Sequence, residues 1–150
     1  MTIGTILKEK GAEVISVTPS ASVPEIASII ASRRIGAVVV LGEADRLAGI
    51  VSERDVVKAV AAHGDAALRM TAADIMTKTV ITATPTTSIN DAMTLMDDGY
   101  FRHLPVVQDG TLVGIISVRD AVRAFIQRQA AEVDSLTDYV HRGSQTGGLR

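Results

Sequence analysis

The chain matches itself. Val14-Ile15-Ser16-Val17-Thr18-Pro19 aligns with Val80-Ile81-Thr82-Ala83-Thr84-Pro85 at an offset of 66 residues, and the same offset carries Ser22 onto Ser88 and Val40 onto Val106. One residue is lost in the next turn. At the resulting offset of 65, Leu47, Gly49-Ile50, Ser52, Arg54-Asp55 and Val57 meet identical residues at Leu112, Gly114-Ile115, Ser117, Arg119-Asp120 and Val122. An internal repeat fixes the architecture before any single element does, because each copy must fold alike and cover its neighbour.

Within each copy the hydrophobic period changes in the same order. Val14 to Val17 and Val80 to Ala83 are short apolar runs closed by Thr-Pro, where proline ends a ladder, and they predict first strands. Ser22 to Glu25 and Ser88 to Asp91 place a capping hydroxyl three residues before an acid. Apolar residues at helical spacing follow (Val23, Ile26, Ile30; Ile89, Met93, Met96), predicting amphipathic helices. The continuous aliphatic runs Ala37 to Leu41 and Leu104 to Val107 fit strands buried on both faces, and Leu47 to Val51 and Leu112 to Ile116 return as their hairpin partners. Second helices start at Ser52, running to about Ala62, and at Ser117, running well past Phe125. The order is β-α-β-β-α, twice.

Residues 63 to 71 read as a linker, Ala72 to Met76 as a short lead-in helix and Ile3 to Lys10 as its counterpart. The expected organisation is a first repeat over 1–68, a second over 69–130 and, over 131–150, a helical extension with a frayed tail from Gly143. Apolar residues along that last helix (Val118, Val122, Phe125, Ile126, Val133, Leu136, Val140) form a stripe too long for one repeat to bury, which suggests an oligomer contact.

The motifs Gly-Ile-Val-Ser-Glu-Arg-Asp at 49–55 and Gly-Ile-Ile-Ser-Val-Arg-Asp at 114–120, with Arg102-His103-Leu104-Pro105-Val106-Val107, resemble those of cystathionine beta-synthase (CBS) domains. The likeness spans about residues 1 to 128, and a tandem pair of this kind is a Bateman module. It implies an α+β fold of two repeats packed sheet to sheet about a pseudo-twofold axis, with two clefts that take adenosine-containing ligands: AMP, ADP, ATP, NAD or S-adenosylmethionine. It also implies that two modules pair into a homodimeric disc.

The residues themselves support a binding site at each strand-to-helix junction. A Ser and an Asp three apart put a hydroxyl and a carboxylate on the first helical turn; the carboxylate can accept from both hydroxyls of a ribose, and the helix amides and dipole suit a phosphate. Arg54 and Arg119 add forked donors for phosphate oxygens. The same Ser-x-x-Asp spacing is also an ordinary capping box, so the two readings stand side by side. Ser117, Arg119 and Asp120 are expected to share a cleft with Arg102 and His103, whose counterparts in the first copy are Gly36 and Ala37. By family resemblance that cleft borrows Val14, Ile35 and Gly36 from the first repeat, and the cleft of Ser52, Arg54 and Asp55 borrows Lys78, Thr79 and Val80. Its two basic residues make the Asp120 cleft the better equipped for phosphate.

Other candidates have plainer readings. His103 can be a half-buried strand histidine, Arg102 a solvated edge charge, Asp97 and Asp98 solvent-facing helix-end acids, Phe101 a core residue, and Met93 and Met96 core filler. With His63 and His141 in exposed-looking segments and no cysteine, no metal site is expected. The motifs of dinucleotide folds, phosphate loops, serine hydrolases and histidine metalloenzymes are all missing, so no enzymatic activity and no cofactor are expected.

A formal net charge of −2 and 3% aromatic content argue against nucleic acid as a partner. No apolar run approaches the ~20 residues of a membrane span, which with the lack of a leader gives a cytoplasmic expectation and no membrane partner. The sequence thus points to a stand-alone nucleotide-binding regulator, an energy or redox sensor whose output passes through an unidentified effector protein. Its alternative is a ligand-independent assembly scaffold.

Overall fold

A computed structural model describes residues 1–11 and 13–147, with side chains described through Val140. The chain is α+β. Its elements are α1 (Ile3–Lys10), β1 (Ser16–Val17), α2 (Val23–Arg33), β2 (Ala37–Leu41), β3 (Leu47–Ser52), α3 (Glu53–His63), α4 (Ala72–Ile75), α5 (Ile89–Gly99), β4 (His103–Gln108), β5 (Thr111–Ser117) and α6 (Val118–Gly147). The expected loop at 63 to 71 is mostly a helical turn, Gly64–Arg69. The frayed tail expected from Gly143 is helical to Gly147, and 148–150 lie outside the described residues.

The sheets repeat each other's registers. β2 pairs antiparallel with β3 (Val38 with Val51, Val40 with Gly49), and β4 pairs likewise with β5 (Leu104 with Ile116, Val106 with Gly114), each ladder slipping at its next residue. The lost residue lies in the turns. β4 and β5 are joined through Asp109-Gly110, both at positive φ, the tight turn that Asp-Gly favours, whereas the first copy uses a longer turn through Glu43–Asp45.

The first strands are shorter than their apolar runs. β1 keeps only Ser16–Val17, parallel to β2, and in the second copy no strand forms over Val80 to Ala83; a single bridge, Ala83 to Val106, remains. Proline explains the loss. In the first copy the Val39 amide donates to the Ile15 carbonyl at 3.3 Å; the residue equivalent to Val39 is Pro105, which has no amide to offer Ile81.

Each repeat has its own core. One joins Val17, Ile26, Ile30, Val38, Val40 and Val51, the other Ile89, Met96, Leu104, Val106 and Ile116. Val39 and Pro105, on the opposite faces of the middle strands, are also buried, so both strands are covered on two sides. The lead-in helices are exchanged: Ile3 and Ile6 of α1 enter the second core, and Ala72 of α4 enters the first. Backbone bonds make the exchange reciprocal, since Ile3 and Gly4 donate to Thr87 and Pro85 while the equivalent Ala72 and Ala73 donate to Ala21 and Pro19. Gly49 and Gly114 mark where these helices press on the hairpins. A Cβ on Gly49 would sit 2.7 Å from Met76 Sδ, and one on Gly114 2.6 Å from a Leu7 methyl.

Candidate functional site

Both strand-to-helix junctions close as reciprocal capping boxes. At the first, the Ser52 amide donates to Asp55 Oδ2 at 2.9 Å and the Asp55 amide to Ser52 Oγ at 3.2 Å. At the second, the Ser117 amide donates to Asp120 Oδ2 at 2.9 Å and the Asp120 amide to Ser117 Oγ at 3.1 Å. Each box satisfies amides that the first helical turn would leave without partners, so the serine and aspartate have a structural task whatever else they do.

Beyond the boxes the junctions diverge. The Ser52 hydroxyl turns onto Asp55 Oδ2 at 3.1 Å, keeping that carboxylate's contacts local. Asp120 Oδ2 instead accepts from Lys10 Nζ at 2.7 Å, and the same ammonium donates to the Ile115 carbonyl at 2.8 Å. Burial pushes the Asp120 carboxyl up, but the Lys10 hydrogen bond, the Ser117 amide and the Lys10 charge outweigh it and hold the group below its ordinary value.

Asp120 lies on a broad open groove of about 1660 Å³ between the repeats. Ser117, Arg119, Asp120, Arg102 and His103 line it from the second repeat and Ile35 and Gly36 from the first, as expected for this cleft; Val14 does not line it. The opposing repeat's approach depends on a missing side chain: a Cβ on Gly36 would fall 2.6 Å from His103 Cε1. His103 pairs with Ser117 across the β4–β5 ladder, which sets the imidazole beside the capping box. Burial, then the nearby Lys10 charge, hold that imidazole below its ordinary pKa against the opposite pull of Asp120 and Glu53.

The walls carry five cationic residues (Lys10, Arg34, Arg102, Arg119, Arg123) against two acids (Glu53, Asp120), in a chain whose formal net charge is −2. Ile30, Val56, Val118, Val122 and Ile126 supply an apolar side. A concave site with a carboxylate at a helix start, excess positive charge and an aliphatic wall can hold a flat base, a diol and an anionic group together.

The first-copy candidates lie outside this groove. Ser52, Arg54, Asp55, Lys78, Thr79 and Val80 line neither this groove nor the shallow surface recess on α6. Arg54, Lys78 and Thr79 are exposed, and Thr77 occupies the edge of β3 by exchanging two backbone bonds with Ile50, at 2.9 and 3.1 Å. Among the described residues no group of three or more His, Asp or Glu side chains could hold a metal ion. Phe101 packs against the second core and Tyr100 is exposed. Sequence reasoning missed Lys10, Glu53 and Arg123. For Arg123 and Glu53 helical spacing from the motifs was a usable signal; Lys10 lies 110 residues from Asp120, and only the exchange of lead-in helices joins them.

The model of the CBS domain matches this chain twice, at residues 8–62 and 72–127. The chain belongs to the CBS-domain family. Solved CBS structures share its fold. The CBS-domain containing protein ATU1752 from Agrobacterium tumefaciens is 40% identical with a TM-score of 0.80, covering 82% of this chain and 92% of its own. CBSX2, solved in complex with AMP, is 26% identical (TM-score 0.71; 85% and 98% covered). The CBS domain pair of protein MJ0100, solved with 5-methylthioadenosine and S-adenosyl-L-methionine, is 27% identical (TM-score 0.75; 85% and 98% covered). This CBS pair spans 73%, 57% and 66% of the length of three curated relatives that it matches. No described helix is long and apolar enough to cross a membrane.

Proposed function

We propose that this CBS pair is a regulatory module that binds adenosine-containing nucleotides, AMP, ADP, ATP or NAD(H), in the Asp120 groove. It acts in the cytoplasm as an energy or redox sensor on a partner protein and pairs as a homodimer. The carrying observation is the groove's cationic excess set around a carboxylate at a helix start. In this reading Asp120 accepts from the ribose hydroxyls, Arg102, Arg119 and Lys10 face the phosphates, and Ile35 and Val56 flank the base. The adenosine compounds bound by CBSX2 and the MJ0100 pair support the nucleoside part, and the arginines support the phosphate part. Ligand occupancy then signals only if the partner prefers one of the two states.

One observation favours the ligand-independent scaffold: without any ligand, Asp120 is already hydrogen bonded by Ser117 and Lys10. Calorimetric titration with AMP, ATP, NAD and S-adenosylmethionine separates the two. The sensor reading expects saturable heat with at least one, weakened about tenfold or more by Asp120→Asn in a folded protein. No heat and no thermal stabilisation with any of the four would leave the scaffold.

A further inference from the structure

The second helices of the two repeats differ in length: α3 stops at His63, whereas α6 continues to Gly147. From Phe125 to Val140 every residue of α6 is exposed. Helices in proteins draw most of their stability from packing an amphipathic face, and this segment packs on nothing in its own chain.

Its apolar residues are patterned. Val122, Ile126, Gln129, Val133, Leu136 and Val140 follow one another at steps of four and three, the seam of a coiled coil. Ile126, Val133 and Val140 are the β-branched residues favoured at one seam position of two-stranded parallel coils, and Leu136 is the residue favoured at the other. The apolar members stand 40 to 65% exposed and belong to neither core; Val122 and Ile126, at the near end, also border the Asp120 groove, and Val133, Leu136 and Val140 lie beyond it. We propose that this seam docks on the same seam of a second copy, forming a parallel, in-register two-stranded coiled coil about 27 Å long.

Gln129 fixes the direction. In parallel register the two Gln129 amides face each other and can hydrogen bond across the seam. In an antiparallel pair centred on this segment each would face Val133, leaving two amides buried without partners. The flanking positions agree, since parallel pairing sets Phe125 against Ala130 and Glu132 against Thr137, with no like charges opposed. A membrane surface is disfavoured as the occupant: between Gln127 and Val140 three acids (Glu132, Asp134, Asp138) oppose one base (Arg128), the reverse of a lipid-binding helix.

The chain has no cysteine, so single cysteines report on the seam directly. Gln129→Cys and Leu136→Cys lie on it, while Ala131→Cys and Asp138→Cys lie on the outer face; all four sites are exposed, so the fold is not at stake. Under mild oxidation of the full chain the seam variants are expected to form covalent dimers about tenfold faster than the outer pair. Equal rates at all four sites, or a monomer by sedimentation, would overturn the proposal. So would an Ile126→Cys and Leu136→Cys mixture that cross-links faster than Leu136→Cys alone, because it would mean antiparallel packing. The proposal does not rest on nucleotide binding: Val133→Glu with Leu136→Glu should abolish cross-linking through Gln129→Cys while leaving any nucleotide titration unchanged.

Discussion

The Asp55 and Asp120 junctions carry the same Ser-x-Arg-Asp residues on the same capping geometry, yet of the two aspartates only Asp120 lines the basic groove between the repeats. The difference begins in the helix exchanged from the other half of the chain. α4 is one turn long, after which Thr77 reaches the edge of β3 and satisfies both backbone groups of Ile50. α1 runs for two turns and ends at Lys10, so at the equivalent edge of β5 the Ile115 carbonyl is met by an ammonium that also reaches Asp120. The second contrast is at the mouth of the middle strands, Gly36-Ala37 in one copy and Arg102-His103 in the other. The small pair and the large pair fit each other, because Gly36 leaves the room that His103 takes. Duplicated motifs therefore sit in different surroundings, because the residues around each are drawn from both copies.

The largest expected effect is on binding. If the groove is the nucleotide site, Asp120→Asn should weaken binding by about 1.4 kcal/mol or more, a factor of ten, while Asp55→Asn changes the affinity far less. Equal losses in calorimetric titration would break the asymmetry. Asparagine keeps an acceptor for the capping amide, so thermal melts of both variants should confirm folded protein.

A second contrast concerns the paired glycines. A Cβ on Gly49 would lie 2.8 Å from the Thr77 carbonyl as well as against Met76, whereas on Gly114 the obstacle is the flexible end of Leu7. Backbone yields less than a side-chain methyl. Gly49→Ala should therefore cost about 1–3 kcal/mol of stability by overpacking, with Gly114→Ala towards or below the lower end of that range. Denaturant midpoints compare them directly, and the reverse order would mean that α1 is held more rigidly on β5 than α4 on β3.

Much of this comparison was legible in the sequence and some was not, for identifiable reasons. The hairpins, the helix starts and the capping boxes at Ser52 and Ser117 follow from local period and spacing, and formed; at Ser22 and Ser88 only the serine half of the box did. Ile35 and Gly36, expected there from the family resemblance, line one groove with Arg102 and His103, while Val14 does not. The first strand of the second copy failed because apolar runs announce strands without announcing their partners: Val80 to Ala83 reads well alone, and the missing amide belongs to Pro105. Lys10 was invisible for a related reason. Nothing in a helix-end lysine says that its helix packs on the opposite repeat.

The smallest expected effect is on pH dependence, and it tests the Lys10 contrast. The pKa of His103 is lowered from 6.5 in the folded chain, so below that pH the unfolded chain binds a proton that the folded chain resists. Its contribution to stability is full above pH 6.5, declines as pH falls below it, and levels off beneath the folded value. Asp120 acts in the same direction in a lower window, with its contribution full above 3.8 and lost as pH falls through its depressed folded value. The first copy has Ala37 in place of His103, so that position contributes no upper window there. His103→Gln should flatten the stability profile between pH 7 and the onset of carboxylate titration. Lys10→Met should change both windows: removing the cation lets the folded His103 pKa rise, which shallows the upper decline, and lets that of Asp120 rise, which shrinks the lower one. At neutral pH the loss from Lys10→Met should be about 1 kcal/mol or less, because the pair is partly exposed, at 34% and 20%, and screened by solvent. Chemical denaturation at a series of pH values measures all of this, and an unchanged profile in Lys10→Met would show that the Lys10 charge sets neither titration.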